Sequence, residues 1–274
     1  MAESETSGFR PRPKHLLPVF LGLVATGLLA YPISLFGALS AQVTPFTGTS
    51  VTGASLNALI FVLALAVSAT AMFLLIRRGR MGFIRRMIKV ALIIVSFAVA
   101  FWYTGSLFTS DISLLFVVSA CVAAIIGLTV FSKGRNRQLV GVTALGALTG
   151  VFLGDLIPFI TVLILVGALV VYDIVAVFKG PVGALAKSVG SGDLPGAMYT
   201  YGELTIGMGD LVFYSVVATT AMVTFGIVSF FAAAVGILAG TYLGFRALSR
   251  FEMFPGLPFS LLLGVAGMLL PVFL

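Results

Sequence analysis

Residues 158–178 read PFITVLILVGALVVYDIVAVF, an apolar run whose one charged residue is Asp173 and which ends at the cation Lys179. A helix rising 1.5 Å per residue needs about 20 mostly apolar residues to cross the hydrocarbon of a bilayer. This run has that length. It therefore reads as a membrane-spanning helix, and it carries an acid where an acid is costly. Those two facts organise the rest of the chain.

Working outward, eight further runs of the same kind are found. They cover residues 16–39, 55–76, 87–108, 112–131 and 139–154 before it, and 206–223, 227–245 and 258–273 after it. The composition agrees: 60% of residues are hydrophobic, 9% are charged and the mean hydropathy is +1.19. A soluble domain carries about 25% charged residues, so a soluble enzyme and a disordered chain are excluded. One cysteine, Cys121, excludes a disulfide scaffold.

The net charge of +7 does not point to nucleic acid, because the cations sit in short clusters between apolar runs. Arg10, Arg12 and Lys14 precede the first segment; Arg77, Arg78, Arg80, Arg85, Arg86 and Lys89 follow the second. Lys133, Arg135 and Arg137 follow the fourth, Lys179 and Lys187 the sixth, and Arg246 and Arg250 the eighth. All sixteen then fall on one side. The positive-inside rule makes that side cytoplasmic. The expected fold is an all-α polytopic membrane protein with nine transmembrane helices, N-terminus cytoplasmic and C-terminus outside, in the cell membrane.

The first apolar run is too long for a signal-peptide core of 7–15 residues and is read as a retained span. Residues 1–14 are expected to be a flexible tail, residues 15–157 a scaffold of five segments, and residues 158–274 the half that carries the chemistry. Two ladders of small residues, Gly146–Gly150–Gly154 and Gly236–Gly240–Gly244, repeat every four positions and are read as close helix-packing faces.

Most acids lie outside the spans: Glu3 and Glu5 in the tail, Asp111 in an outer loop, and Asp193, Glu203 and Glu252 in inner loops. Asp155, at the outer end of segment five, is read as an interfacial cap of the next helix. Asp173 and Asp210 remain. Asp173 stands five residues before Phe178, roughly 8 Å inside the cytoplasmic end. Asp210, in Gly207-Met208-Gly209-Asp210, opens a segment running the other way and so reaches a similar depth. An ionisable group in hydrocarbon costs several kcal/mol and marks a functional site by default. Three readings fit two such acids: a polar pair joining helices, an ion or proton pathway, and acid–base chemistry by carboxylates sharing one proton. Glycines 207 and 209 favour the last, since they let another backbone approach Asp210 closely. Before segment nine, Phe254-Pro255-Gly256-Leu257-Pro258 interrupts any helix.

At these three places the chain resembles the presenilin and signal-peptide-peptidase family of intramembrane aspartyl proteases. The matching residues are Tyr172-Asp173, Gly207-Met208-Gly209-Asp210 and Pro255-Gly256-Leu257, with Asp210-Leu211-Val212-Phe213-Tyr214-Ser215-Val216 extending the second. The N-inside layout is similar to the presenilin branch, and the resemblance as a whole suggests a compact prokaryotic, archaeal homologue. The connection from Lys179 to Thr205 departs from eukaryotic presenilins in being far shorter than their long loop. The family's third motif is Pro-Ala-Leu, with Gly256 standing here at the alanine.

The resemblance implies an aspartic endopeptidase that hydrolyses peptide bonds within transmembrane helices of other membrane proteins. It makes Asp173 and Asp210 the catalytic pair, supported by Tyr172, Gly207, Met208 and Gly209. Pro255, Gly256 and Leu257, with residues 179–182, would meet an unwound substrate. It implies no metal and no cofactor; the partners are substrate helices and the lipid bilayer, with no nucleic acid. Since members of this family act alone or with accessory subunits, the resemblance leaves subunits and oligomeric state open. The ion or proton pathway is the alternative function for the same acids. A prepilin-peptidase type of protease also uses a glycine-glycine-aspartate motif, but the Tyr-Asp and Pro-Gly-Leu elements are foreign to it.

Overall fold

The computed structural model describes residues 12–36, 44–46, 50–108, 111–132, 134–178, 196, 198–201, 204–248 and 255–273. Nine α-helices lie among them: α1 (Leu17–Phe36), α2 (Val51–Arg77), α3 (Met81–Leu107), α4 (Ile112–Val130), α5 (Arg135–Leu156), α6 (Phe159–Phe178), α7 (Met208–Phe225), α8 (Ile227–Leu248) and α9 (Leu257–Leu269). Eight are long and apolar enough to cross a membrane, while α9 is a short apolar helix continued by a 3₁₀ turn, Leu270–Val272. Large apolar side chains such as Leu59, Leu63, Val67 and Leu74 line the outside of α2. In a bilayer that outside is a lipid face, so no water-exposed patch results. The inner-loop acids Asp193, Glu203 and Glu252, the linker 179–182 and residues 1–11 of the tail lie outside the described residues.

Several helices start before their apolar runs, α2 at Val51 and α5 at Arg135 among them, and three differences bear on the site or its supports. Helix α3 begins at Met81, not at residue 87, so Arg85, Arg86 and Lys89 are helical and exposed. Nothing from Met81 onward breaks a helix, and hydropathy marks where the apolar part starts, not where the helix does. The break that the apolar runs leave at residues 224–226 is one residue in the structure, Gly226, at φ 89°. That left-handed conformation is cheap only for glycine. The third difference is a β-hairpin, β1 (Met198–Tyr201) with antiparallel β2 (Leu204–Gly207), directly before α7.

Helix α5 is the most enclosed span, because its glycines admit the backbone of α7. A Cβ placed on Gly150 would overlap the Ser215 Cβ, one on Gly154 would meet the Thr219 Cβ at 2.8 Å, and one on Gly146 the Leu211 Cβ at 3.1 Å. The first ladder is thus a packing face. Helix α1 joins the same seam: the hydroxyls of Thr26 and Ser215 lie 2.8 Å apart, both buried. Gly236 and Gly240 likewise admit the α9 backbone, since a methyl group on either would overlap a carbonyl oxygen, that of Leu263 or of Phe259. Gly244 does not belong to that face, since nothing lies within 4 Å of its added Cβ. This corrects the ladder reading. Helix α9 starts at Leu257, so the partner helix stops short of Gly244, which instead lines a cavity with Pro255 and Gly256.

Candidate active site

Each acid meets the start of a helix. In α7 the N-cap is Gly207, extended at φ −72° and ψ 138°, and Asp210 is the third helical residue. From there its carboxylate turns back to the Gly207 backbone amide. This is the acidic half of a capping box, stabilised by the free N–H groups and the positive end of the helix dipole. The hairpin explains why the helix begins here. Strand β2 runs up to Gly207, so the chain changes from extended to helical within the glycine motif.

Asp173 lies in the last turns of α6, half-buried, and needs a partner from elsewhere. The backbone N–H of Leu257, 84 positions away, donates to its Oδ2 at 3.0 Å. Leu257 is the first residue of α9, where a main-chain N–H has no intrahelical acceptor. Gly256 is the N-cap and Pro258 follows within the first turn, so the two prolines start a helix and free a donor at the same time. Asp210 Oδ2 lies 3.3 Å from where a Cβ on Gly256 would stand, so both acids border the Gly256–Leu257 peptide. Two carboxylates therefore meet between two helix N-termini.

The other residues that the sequence marks for the site sort by exposure. Pro255 and Leu257 are buried, Gly256 is exposed, and Met208 and Tyr172 are half-buried. Gly209 is exposed, with nothing within 4 Å of an added Cβ. A methyl group on Gly256 would come within 3.3 Å of Asp210 Oδ2. Glycine instead of alanine therefore leaves the carboxylate more room. The hydrogen bond to Asp173 comes from Leu257, while Tyr172 lies beside it.

Asp210 lines a cavity of about 140 Å³ together with Tyr214, Thr205, Thr241, Gly244 and Gly256. Asp210, Tyr214, Thr205 and Thr241 put polar groups on walls otherwise formed by apolar residues such as Val19, Ile206 and Leu248, and a volume of this size admits several waters. Sequence reasoning missed Thr241, Gly244 and the hairpin as site elements. Tyr214 lies one helical turn after Asp210 and was visible by spacing; Thr241, on α8, had no signal. Among the described residues no group of three or more His, Cys, Asp or Glu side chains comes together.

The described residues thus form a bundle of apolar helices in which two carboxylates border the N-termini of α7 and α9. No protein-family profile matches the sequence, and no curated protein does. The fold does have solved counterparts. One structure of a presenilin family intramembrane aspartate protease superposes with TM-score 0.64 at 19% identity, covering 94% of this chain and 96% of that one. A second, in another space group, gives TM-score 0.66 at 20% identity, covering 97% and 99%. The chain thus has the presenilin-family fold over nearly its whole length.

Proposed function

We propose that this protein is an intramembrane aspartic endopeptidase that cleaves transmembrane segments of other membrane proteins. The observation that carries this reading is the convergence of Asp173 and Asp210 at the α7 and α9 N-termini, in a chain with the presenilin-family fold. In the proposed reaction a water attacks the scissile carbonyl carbon. One carboxylate takes the water's proton as its companion gives one to the carbonyl oxygen. Collapse of the intermediate breaks the C–N bond, and the amine leaves with a proton returned by the pair. The scaffold is residues 15–157 and the chemistry belongs to residues 158–274, with the N-terminus cytoplasmic.

Water and backbone partners must both be supplied, because lipid offers neither. The cavity beside Asp210 is the proposed source of water. Gly244→Leu should fill it and lower kcat about tenfold with KM within about twofold, while melting temperature holds or rises, since leucine favours helix over glycine. Unchanged kcat would remove the cavity from the mechanism.

An unwound substrate also needs hydrogen-bond partners, and the hairpin offers them. Each of its strands has one edge without a partner strand among the described residues, and β2 leads straight to the Asp210 motif. Adding a substrate strand there would bring its backbone to the carboxylates. Pro255, Gly256 and Leu257 close the opposite side. Pro255→Ala should lower cleavage severalfold through looser closure; a variant with full activity would take this motif out of substrate pairing.

The direct test is proteolysis of a single-span substrate in liposomes. Cleavage at a bond within the span supports the assignment. Conductance that depends on both carboxylates, without cleavage, would replace it with an ion or proton pathway.

A further inference from the structure

The Gly256 carbonyl and the Leu257 N–H belong to one peptide unit, and that unit is planar and rigid. On its nitrogen side the N–H donates to Asp173 Oδ2 at 3.0 Å. On its oxygen side the Tyr214 hydroxyl donates to the Gly256 carbonyl at 3.2 Å, and the Ser260 hydroxyl does the same at 3.2 Å. Thr241 lies behind them, its Oγ1 3.0 Å from the Ser260 oxygen. Tyr214, Thr241 and Ser260 are 3%, 4% and 0% exposed. Hydroxyls buried to that degree are costly unless bonded, and the bonds of Tyr214 and Ser260 converge on one acceptor.

Packing alone does not call for this arrangement. Phenylalanine would fill the space of Tyr214, alanine that of Ser260, and neither would need a partner. What the hydroxyls add is a fixed orientation of the peptide plane between the two acids. Tyr214 sits on the helix of Asp210, one turn further on, so it ties α7 to the third motif. Ser260 makes the local bond within α9, four residues from its acceptor.

Resting on the protease reading above, we propose that Tyr214, backed by Ser260, is a positioning residue. It holds the Gly256–Leu257 peptide so that the Leu257 N–H fixes the attack-ready orientation of Asp173. The bonds form a chain from the Asp210 helix, through one peptide plane, to the second carboxylate. Hydrogen bonds in such a chain polarise one another, so a hydroxyl at one end affects the group at the other. Tyr214 touches neither the scissile bond nor the Asp173 carboxylate in this assignment.

The test is steady-state cleavage of a single-span substrate by wild type, Tyr214→Phe and Ser260→Ala, with thermal unfolding of each in detergent. Tyr214→Phe is expected to lower kcat about tenfold with KM within about twofold, since one bond is lost and a carboxylate is misaligned. Melting should stay close to wild type. Tyr214→4-aminophenylalanine returns an N–H donor at the same place and should recover most of the lost kcat. Ser260→Ala should lower kcat about threefold, again at unchanged KM. It supplies the same reading if Tyr214→Phe does not accumulate as folded protein.

Wild-type kcat in Tyr214→Phe overturns the proposal, as does a loss that 4-aminophenylalanine fails to restore. A fall in kcat that merely follows the folded fraction overturns it too. In each of these cases wild type still cleaves and the protease reading stands. A wild type that cleaves no membrane-embedded substrate removes that reading, and this inference with it.

Discussion

Replacing Asp173 or Asp210 with asparagine should abolish cleavage within the span, by about 10³-fold or more, while leaving the protein folded. Asparagine keeps the size of the side chain and an oxygen acceptor. In Asp173→Asn the bond from the Leu257 N–H at 3.0 Å can persist. What is lost is the ability to take and return a proton, and an amide has no substitute for that. The two acids act as one unit, so the double variant should be no worse than either single one. Cleavage products resolved by mass spectrometry, with a thermal melt of each variant, make the check. Equal cleavage by wild type and both variants would identify a contaminating protease and sink the assignment.

The second large effect is on the fold. Gly150→Val should prevent accumulation of folded protein or lower its stability by about 3 kcal/mol or more, because overpacking at a backbone contact has little room to relax. Even the first added carbon would overlap the Ser215 Cβ and lie 2.8 Å from the Val212 carbonyl oxygen. Valine adds two methyls to that clash. The damage would pass to α1 through the Thr26–Ser215 hydroxyl pair, and to the site through α7, which begins with Asp210 in its first turn. Gly167→Ala is the matched control. Gly167 is exposed with nothing within 4 Å of an added Cβ, so alanine there should be neutral or stabilising by up to about 1 kcal/mol. Melting in detergent distinguishes the two. A Gly150→Val protein that melts with wild type would mean that α5 and α7 do not approach as closely as described.

Much of this could be read along the chain. Nine apolar runs became nine helices, and the acids at 173 and 210 stood out because nothing nearby in sequence could neutralise them. The hairpin was missed although its signal is present: Met198-Tyr199-Thr200-Tyr201 and Leu204-Thr205-Ile206 are strand-like runs separated by Gly202-Glu203. A hydropathy window hid it by assigning Ile206 to the seventh span. Gly244 was a different matter. Its spacing repeats that of Gly236 and Gly240, yet its face is empty because the antiparallel partner begins at Leu257. No spacing rule contains the length of a neighbouring helix.

Membrane residence, the number of apolar segments and the two acids were determined by the sequence alone. Transfer of a segment into hydrocarbon is a local property, summed residue by residue over about twenty positions. Tertiary structure decided what each acid meets. Asp173 is reached by an N–H 84 positions away, and the peptide carrying that N–H is held by a hydroxyl 42 positions from its carbonyl. These bonds depend on where helix ends fall after packing. The α5 glycines and the short α9 set those positions by letting backbones approach until the N-termini of α7 and α9 converge.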